Sequence, residues 1–490
     1  MPSVKQAILY SSLGRYLLMV IGLISSMVMA RLLSPEEIGT FAIASSVVVI
    51  MAEFRMLGAN TYLVRQAEIT SEKIRSAYGL TILISWSLGI ALATASSSLA
   101  GFFRIEGLTF VFLILAFSFL LAPYISIPDA LLARDYRFRE IFTINLTSSV
   151  IHFGVVVVLV KNGHSFYSLA IGQATSIFVK FVLSLYFTRE IKVYMPKFTG
   201  IKEIAKLGVF TSVSHIVRNS QQTFPDMLIG KLGSPTQVGL FSRGLGFTMF
   251  ISTLLLSGIS PVALPYFSEI RNKGEDVVAA YHLASELIAG IVWPVLAVAS
   301  VASLPAIRLM FGDQWDQAAP IATVVAFWAI LRSAHVMAPN AMIAVGKESS
   351  MLVKEVLVFT VFLVSTSIAY IQLGMPGVAY AFVFSGFTDF LVSSWFMKNK
   401  VGVGFLKYCV GMSSSALVAI ICWSAVSLLD WYISFDDTSP FVVLIYIICV
   451  LPPVWVLSIL VLRHPLKKQF GEIYQKFFSR ETLNKSQNQR

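Results

Sequence analysis

The chain has 490 residues, 56% of them hydrophobic and only 13% charged, and its formal net charge is +11. Soluble globular domains carry about 25% charged residues, so a water-soluble protein is excluded because its surface could not be covered. The composition predicts an all-α integral membrane protein. The excess of cations then reflects membrane topology, and no nucleic-acid partner is expected.

Fourteen apolar stretches follow one another along the chain, each long enough to cross a bilayer as a helix. They cover residues 8–32, 37–61, 76–102, 108–132, 141–161, 165–188, 204–230, 236–267, 277–303, 318–345, 350–373, 376–397, 406–429 and 440–462. The first stretch continues past Arg15, so it is predicted to be a retained helix and not a cleaved signal peptide.

The loops between these stretches differ in charge. With the N-terminus placed in the cytoplasm, the inside loops and the C-terminal tail hold 26 of the 37 Lys and Arg residues, and Lys354 is counted among them. The outside loops hold five. This bias predicts an even number of spans with both termini in the cytoplasm.

An internal repeat appears at an offset of 200 residues. Residues 30–41 end the first span and open the second, and residues 230–241 end the seventh and open the eighth. Ser34-Pro35, Gly39 and Phe41 of the first copy match Ser, Pro, Gly and Phe at the same places in the second. Each repeat holds six spans. Because six is an even number, the two repeats have the same orientation in the membrane. The sequence therefore predicts two parallel six-helix lobes around a central cavity.

The repeat and the loops together predict the domain organisation. It consists of an N-lobe at 1–188, a cytoplasmic linker at 189–203, a C-lobe at 204–398, two further spans at 399–462 and a basic cytoplasmic tail at 463–490. The tail alternates cations with apolar residues at helical spacing, which suits a helix lying on an anionic membrane surface. A flexible solubilising tail is the alternative.

The seventh span is unusually polar. His215, Arg218, Asn219, Gln222 and Asp226 recur at three- and four-residue steps and share one helix face. Lipid cannot cover this face, because desolvating its charged members would cost several kcal/mol. The face therefore lines either a water-filled cavity, which we expect, or an interhelical polar network.

Other cations also fall inside the predicted spans. The expected substrate-binding, cationic cavity is built from Arg218, Arg243, Arg332, Arg15 and Arg55, and its polar face from His215, Asn219 and Gln222. Lys180 is expected to extend toward the membrane surface instead. Embedded acids are fewer, so a cavity with surplus positive charge suits an anionic group such as a phosphate.

A coupling ion, H⁺ or Na⁺, is a further expectation. Asp226, His215 and Glu53 are the candidate coupling residues, because histidine titrates near neutral pH and intramembrane carboxylates are rarely structural. No phosphate-binding loop, His-Glu-x-x-His pattern or paired-cysteine pattern occurs in the sequence. The sequence therefore predicts no metal site, no cofactor and no enzyme.

Three segments resemble a known family. Residues 30–44, 62–70 and 128–139 are similar to loop motifs of bacterial polysaccharide flippases, the polysaccharide transporter branch of the multidrug/oligosaccharidyl-lipid/polysaccharide exporter superfamily. Within this branch, the motifs most resemble those of exporters of colanic acid, teichuronic acid and other exopolysaccharides. These loop motifs carry no catalytic or binding residues, so the cavity assignments rest on burial alone.

The resemblance implies a flippase. Such a protein moves an undecaprenyl-pyrophosphate-linked oligosaccharide across the bacterial inner membrane by alternating access, for exopolysaccharide, capsule or O-antigen (lipopolysaccharide) biosynthesis. Its partners would be this lipid-linked oligosaccharide, membrane lipids and a polysaccharide polymerase or chain-length complex. The alternatives are a multidrug or small-molecule exporter of the same superfamily, a membrane enzyme of lipid-linked glycan assembly and a non-transporting scaffold.

Overall fold

The computed structural model describes residues 4–55, 59–65, 68–189 and 196–469. Within these ranges the secondary structure is helical and no strand occurs. The all-α prediction is therefore confirmed. Residues 470–490 of the predicted tail and 190–195 of the predicted linker lie outside the described residues.

The helices pack into two compact units. The first consists of Met1–Arg243, Phe311–Trp315 and Thr366–Val378, and the second of Gly244–Met310, Asp316–Ser365 and Ala379–Arg490. The predicted lobe boundary at residues 189–203 follows from the sequence repeat. It differs from this division by packing and remains a prediction.

Nineteen α-helices are found in the described ranges. Those that begin in the first unit are α1 (Val4–Leu32), α2 (Pro35–Arg55), α3 (Ala59–Arg65), α4 (Ser71–Phe103), α5 (Leu108–Leu121), α6 (Pro123–Arg134), α7 (Phe138–Lys161), α8 (Tyr167–Phe187), α9 (Ile201–Leu232) and α10 (Pro235–Leu256). Those that begin in the second are α11 (Ser260–Asn272), α12 (Val277–Val301), α13 (Ser303–Phe311), α14 (Ala319–Ala334), α15 (Ala338–Ala344), α16 (Glu348–Leu373), α18 (Phe405–Ile433) and α19 (Pro440–Val461). Between them, α17 (Met375–Lys400) begins in the segment Thr366–Val378 of the first unit and continues into the second.

Most of these helices meet the requirements of a membrane span. Among the described residues, 12 helices are long and apolar enough to cross a bilayer, or 13 when the bent pair α5–α6 is counted as one span. The remaining predicted span is α9, whose 32 residues extend about 48 Å and exceed a hydrocarbon core of about 30 Å. Because of its polar face, α9 is less apolar than the helices counted above. The chain is a multi-pass membrane protein.

The exposed surface agrees with a lipid environment. Only 22% of the apolar stretch of α19 is buried within the protein, and Val461 at its end is 76% exposed. Trp431 and Tyr432 at the end of α18 are 84% and 81% exposed. Aromatic residues at helix ends are typical of the membrane–water interface, where the ring is partly apolar and partly hydrated.

Several predicted spans are interrupted helices and not single ones, which corrects the sequence-based boundaries. The fourth span bends by 45° between α5 and α6, where Pro123 begins the second helix. The tenth span breaks between α14 and α15, and proline again lies at the start of the second helix. Proline lacks the backbone N–H and clashes with the preceding turn, so the helix restarts at each site.

The duplication is visible in the internal packing of each unit. In the first unit α3 packs on α6, and Arg134 Nη1 donates a hydrogen bond to the Leu63 carbonyl at 3.1 Å. In the second unit α11 packs on α15, and Arg271 Nη1 donates to the Ala344 carbonyl at 2.6 Å. Each repeat thus has a short helix, after its second span, held against the second half of its fourth span.

The repeated Ser-Pro motif starts a helix. The Ser34 N–H donates to Glu37 Oε2 at 2.7 Å, and the Glu37 N–H donates to Ser34 Oγ at 3.2 Å. This reciprocal pair is a capping box with proline at the first helical position. In the second copy the Gln237 N–H donates to Ser234 Oγ at 3.3 Å. The motif therefore serves a structural purpose.

The glycines of the repeat allow α2 and α10 to pack closely within the first unit. A Cβ atom added at Gly39 would lie 1.7 Å from the Pro235 carbonyl oxygen, and one added at Gly239 would lie 2.0 Å from the Pro35 carbonyl oxygen. No side chain fits at either place, so the two copies of the motif contact each other reciprocally through their backbones.

The placement of Lys354 differs from its prediction as a loop cation. It lies within α16 and is 7% exposed, with Nζ at 2.8 Å from Asp389 Oδ1 and 3.1 Å from Glu355 Oε1. A buried ammonium is tolerated because these two carboxylates compensate its lost hydration. The loop assignment of this residue is therefore wrong.

Candidate functional site

A cavity of about 640 Å³ lies among α1, α2, α7, α8 and the first turns of α10, all within the first unit. We call it the Arg243 cavity. Its polar lining consists of Ser25, Ser26, Ser149, His152, Gln173, Ser176, Lys180 and Arg243. Two cations and no carboxylate occur among the described residues that line it, so it favours an anionic ligand over a cationic one.

Arg243 is held by neutral partners. Its Nη1 donates to Ser26 Oγ at 2.6 Å, and its guanidinium carbon lies 4.7 Å from the Phe311 ring centroid and 4.9 Å from that of Trp315. Nε is buried without a hydrogen-bond partner, and no ion pair to Arg243 is found in the described part of the chain. Aromatic faces stabilise the cation without neutralising it, so its charge remains available to a ligand.

The aromatic support is fixed to α1. Trp315 is fully buried, and its Nε1 donates to the Ala30 carbonyl at 2.8 Å. Gln314 Nε2 donates to the same carbonyl. The segment Phe311–Trp315 is thereby anchored to the end of α1, and it presents two aromatic rings to Arg243.

One face of α8 supplies Gln173, Ile177 and Lys180 to the cavity wall. These residues are four and three positions apart, so they lie above one another on the helix. The sequence predicts that Lys180 extends toward the membrane surface, whereas the structure places it at this wall. The regular spacing of Gln173 and Lys180 is the signal by which the sequence could have indicated it.

A second cavity, of about 380 Å³, lies in the same unit among α2, α5, α6 and α8. We call it the Arg55 cavity. Its polar lining consists of Arg55, Ser118, Ser126, Asp129, Gln173 and Lys180. Gln173, Ile177 and Lys180 therefore line both cavities, and of the predicted cationic residues Arg55 lies here and not beside Arg243.

The predicted polar face of the seventh span lies on α9. Asn219 Nδ2 donates to Glu53 Oε1 of α2 at 2.7 Å, and Asp226 Oδ1 accepts a hydrogen bond from Ser242 Oγ of α10 at 2.6 Å. Gln222 is half-buried. None of the described α9 side chains lines the Arg243 cavity. The side chains of His215 and Arg218 lie outside the described residues, so their assignment stays a prediction.

The two remaining predicted cations lie elsewhere. Arg332 belongs to the second unit, where it lines a cavity of about 270 Å³ between α10 and α14, with its guanidinium 5.0 Å from the Trp328 ring centroid. Arg15 is exposed on α1 and lines none of the three cavities. The four arginines of the predicted set whose side chains the structure describes, Arg15, Arg55, Arg243 and Arg332, thus do not line one common cavity.

Comparison with known proteins shows the family. A family model described as polysaccharide biosynthesis protein matches residues 28–320. The teichuronic acid biosynthesis protein TuaB of Bacillus subtilis is 24% identical over 358 residues, which cover 72% of this chain and 73% of that protein. The succinoglycan biosynthesis transport protein ExoT of Rhizobium meliloti is 23% identical over 303 residues, which cover 61% of this chain and 60% of that protein.

A solved structure shares the fold. The lipid II flippase MurJ, in an inward closed conformation, superposes with a TM-score of 0.74 at 16% identity, covering 94% of this chain and 99% of that chain. This likeness confirms the predicted two-lobe membrane transporter fold, and the family match confirms the resemblance found in the loop motifs. Because the family model spans more than half of the chain, the protein belongs to this polysaccharide biosynthesis family, the polysaccharide transporter branch of the multidrug/oligosaccharidyl-lipid/polysaccharide exporter superfamily.

Proposed function

We propose that the protein translocates an undecaprenyl-pyrophosphate-linked oligosaccharide across the bacterial inner membrane by alternating access, for the synthesis of a surface polysaccharide. The Arg243 cavity carries this proposal. It combines two cations with hydroxyl and amide groups, and no carboxylate occurs among its described lining residues. A pyrophosphate or acidic sugar finds charge-assisted hydrogen bonds there, while sugar hydroxyls pair with serine and glutamine.

The physical problem of such a substrate is the transfer of its polar part through hydrocarbon. Sugars and phosphates lose their hydration in lipid at large cost, whereas the polyprenyl tail is itself apolar. A polar cavity inside an apolar helical protein shields the head while the tail stays in the bilayer. A multidrug exporter for cationic drugs would require acidic side chains, and the composition of the Arg243 cavity does not favour it.

A coupling ion, H⁺ or Na⁺, drives the proposed transport cycle. Asp226 and Glu53 are the described candidates, and each accepts a hydrogen bond from a neutral side chain, Ser242 and Asn219 respectively. His215 is the third candidate. Both termini are proposed to lie in the cytoplasm. A polymerase or chain-length complex would act on the translocated oligosaccharide at the opposite face of the membrane.

The proposal is tested by Arg243→Gln. Glutamine keeps a donor for Ser26 but removes the charge, and hydrogen bonds to charged groups contribute about 1.5–3 kcal/mol. We therefore expect export to fall by about tenfold or more. The measurement is the transfer of labelled undecaprenyl-pyrophosphate oligosaccharide in proteoliposomes, together with surface polysaccharide in a strain that lacks its own exporter.

The matched control is Arg139→Gln, since Arg139 is exposed on α7 and lines neither cavity of the first unit. This variant should export normally, and immunoblots should show both variants in the membrane at equal amounts. Wild-type transfer by the Arg243→Gln protein would refute the assignment of the cavity. Transport of cationic dyes in place of the oligosaccharide would favour the multidrug alternative.

A further inference from the structure

The Arg55 cavity contains an unusual set of buried polar atoms. Arg55 Nε, Ser118 Oγ, Ser126 Oγ and Asp129 Oδ1 are all inaccessible to solvent and have no hydrogen-bond partner in the described part of the chain. All four residues line this cavity, and Ser118 is only 8% exposed. Buried polar groups in folded proteins nearly always have a partner, so four orphaned atoms around one space indicate that something occupies it.

The arrangement depends on three different helices. Arg55 comes from the end of α2 and Ser118 from the last turn of α5. The 45° bend before Pro123 redirects the chain. Ser126 and Asp129 are three residues apart on α6 and therefore share one face of that helix, and both line the cavity. Lys180 and Gln173 close the cavity from α8.

The chemistry of the lining selects the occupant. Two cations and one carboxylate line the cavity, and Glu53, which interacts with Arg55, is not among the lining residues. The lining therefore has one more positive than negative group and suits a ligand with one negative group. Two serines, one carboxylate oxygen and one amide provide both donors and acceptors for hydroxyls. An apolar ligand would leave all four orphaned atoms unpaired. A divalent cation would have a single carboxylate among the described residues and two repelling cations.

We propose that the Arg55 cavity is a second ligand site, which binds an anionic group flanked by hydroxyls. Arg55 and Lys180 bind the oxyanion, while Ser118, Ser126 and Asp129 bind the hydroxyls. Two sources share this chemistry: a sugar carboxylate of an acidic glycan, and the glycerophosphate headgroup of an anionic lipid. The site is distinct from the Arg243 cavity, so the inference stands or falls independently of the translocated substrate.

The shared wall links the two cavities. Lys180 lines both, and a single ammonium cannot serve two separate anions fully. A ligand in the Arg55 cavity therefore withdraws positive charge from the Arg243 cavity. Occupation of the second site should weaken anion binding at the first. An effect of this coupling on export rests on the proposed function, whereas the ligand site itself does not.

The test uses the purified full-length protein in neutral detergent. Calorimetry measures the binding of glucuronate, glycerol 3-phosphate and uncharged glucose. We expect at least one of the two anions to bind at least tenfold more tightly than glucose. Arg55→Gln should weaken that anion at least tenfold, whereas Asp129→Asn, which removes the opposing negative charge, should tighten it severalfold. Because these two changes act in opposite directions, misfolding cannot explain both.

Two controls separate this site from the proposed transport function. Arg139→Gln should leave the affinity for the anion within twofold of wild type. In Arg243→Gln, the part of the anion binding that Arg55→Gln removes should keep its affinity within twofold of wild type, even where Arg243→Gln abolishes export. The source is distinguished by native mass spectrometry in nanodiscs of phosphatidylglycerol or phosphatidylcholine. Phosphatidylglycerol retained by wild type and lost in Arg55→Gln identifies the lipid headgroup, and glucuronate binding that is the same in both lipids identifies the glycan.

The proposal is overturned if neither anion binds more tightly than glucose. It is equally overturned if Arg55→Gln binds both anions like wild type. In either case the four orphaned atoms are satisfied by ordered water alone.

Discussion

At the scale of single residues, Lys354 and Arg243 show two ways to hold a cation inside a membrane protein. Lys354 contacts Asp389 and Glu355, so its charge is compensated within the protein. Arg243 contacts a serine hydroxyl and two aromatic rings, so its charge is stabilised but not cancelled. The first arrangement is structural, and only the second leaves a net charge for a ligand.

Lys354→Met tests the structural reading. Removing one partner leaves Asp389 buried without its cation, and breaking a buried pair costs about 3–5 kcal/mol. We expect a large loss of stability in chemical denaturation of the detergent-solubilised protein, and a partial recovery in the double variant with Asp389→Asn. The exposed Lys400→Met serves as control and should be neutral. Equal stability of Lys354→Met and wild type would contradict the pairing.

At the scale of helices, the repeated Ser-Pro motif shows how one local sequence serves twice. It starts α2 and α10 with side-chain caps, and its glycines let both helix starts approach within the first unit. The sequence identified the motif by its repetition. Its purpose became clear only when the two copies were found in contact, because a capping pattern does not specify which helix packs against it.

Gly39→Ala tests this contact. The added methyl group would lie 1.7 Å from the Pro235 carbonyl oxygen, which is backbone and cannot rotate away. The two helix starts must separate, so we expect the midpoint of thermal unfolding to fall clearly below that of wild type. Gly154→Ala in α7 is the matched control, because nothing lies within 4 Å of its added carbon. The control should be neutral or stabilising by about 0.5–1 kcal/mol. A Gly39→Ala protein as stable as the control would show that the close approach is not required.

At the scale of the whole molecule, the last two membrane helices belong to the second compact unit. An apolar cluster joins Val298 of α12, Cys422 and Val426 of α18 and Ile447 of α19. His464, just after α19, closes it: Nε2 contacts Ser415 Oγ at 2.9 Å, and Nδ1 accepts the Leu466 N–H at 3.2 Å. Since Nδ1 accepts, the histidine is neutral and its proton lies on Nε2.

A pH dependence follows from this contact. Burial lowers the pKa of His464 below its ordinary value of 6.5. The unfolded chain therefore takes up the proton before the folded protein does, and the stabilising contribution is complete above pH 6.5 and lost as the pH falls below it. We expect the thermal midpoint of wild type to drop more steeply between pH 7.5 and 5 than that of His464→Gln. Parallel curves for the two proteins would show that His464 does not contribute.

The features that depend on local composition and helical period could be predicted from the sequence. The lipid environment, the helical fold class, the span positions and the family all follow from apolar length, loop charge and loop motifs, because these signals are carried by contiguous residues. Polar residues in the seventh span and arginines in the others were also recognisable. What could not be read locally was the partner of each polar side chain.

Which charged side chains line the same cavity depends on how the helices pack, and the sequence does not show this. Arg55 and Asp129 line one cavity, beside which the chain turns by 45° between α5 and α6, and Lys180 lines two cavities because α8 borders both. Lys354 is buried because Asp389 faces it from α17. Helical periodicity states which residues of one helix share a face, but the rotation and bending of neighbouring helices determine what that face contacts.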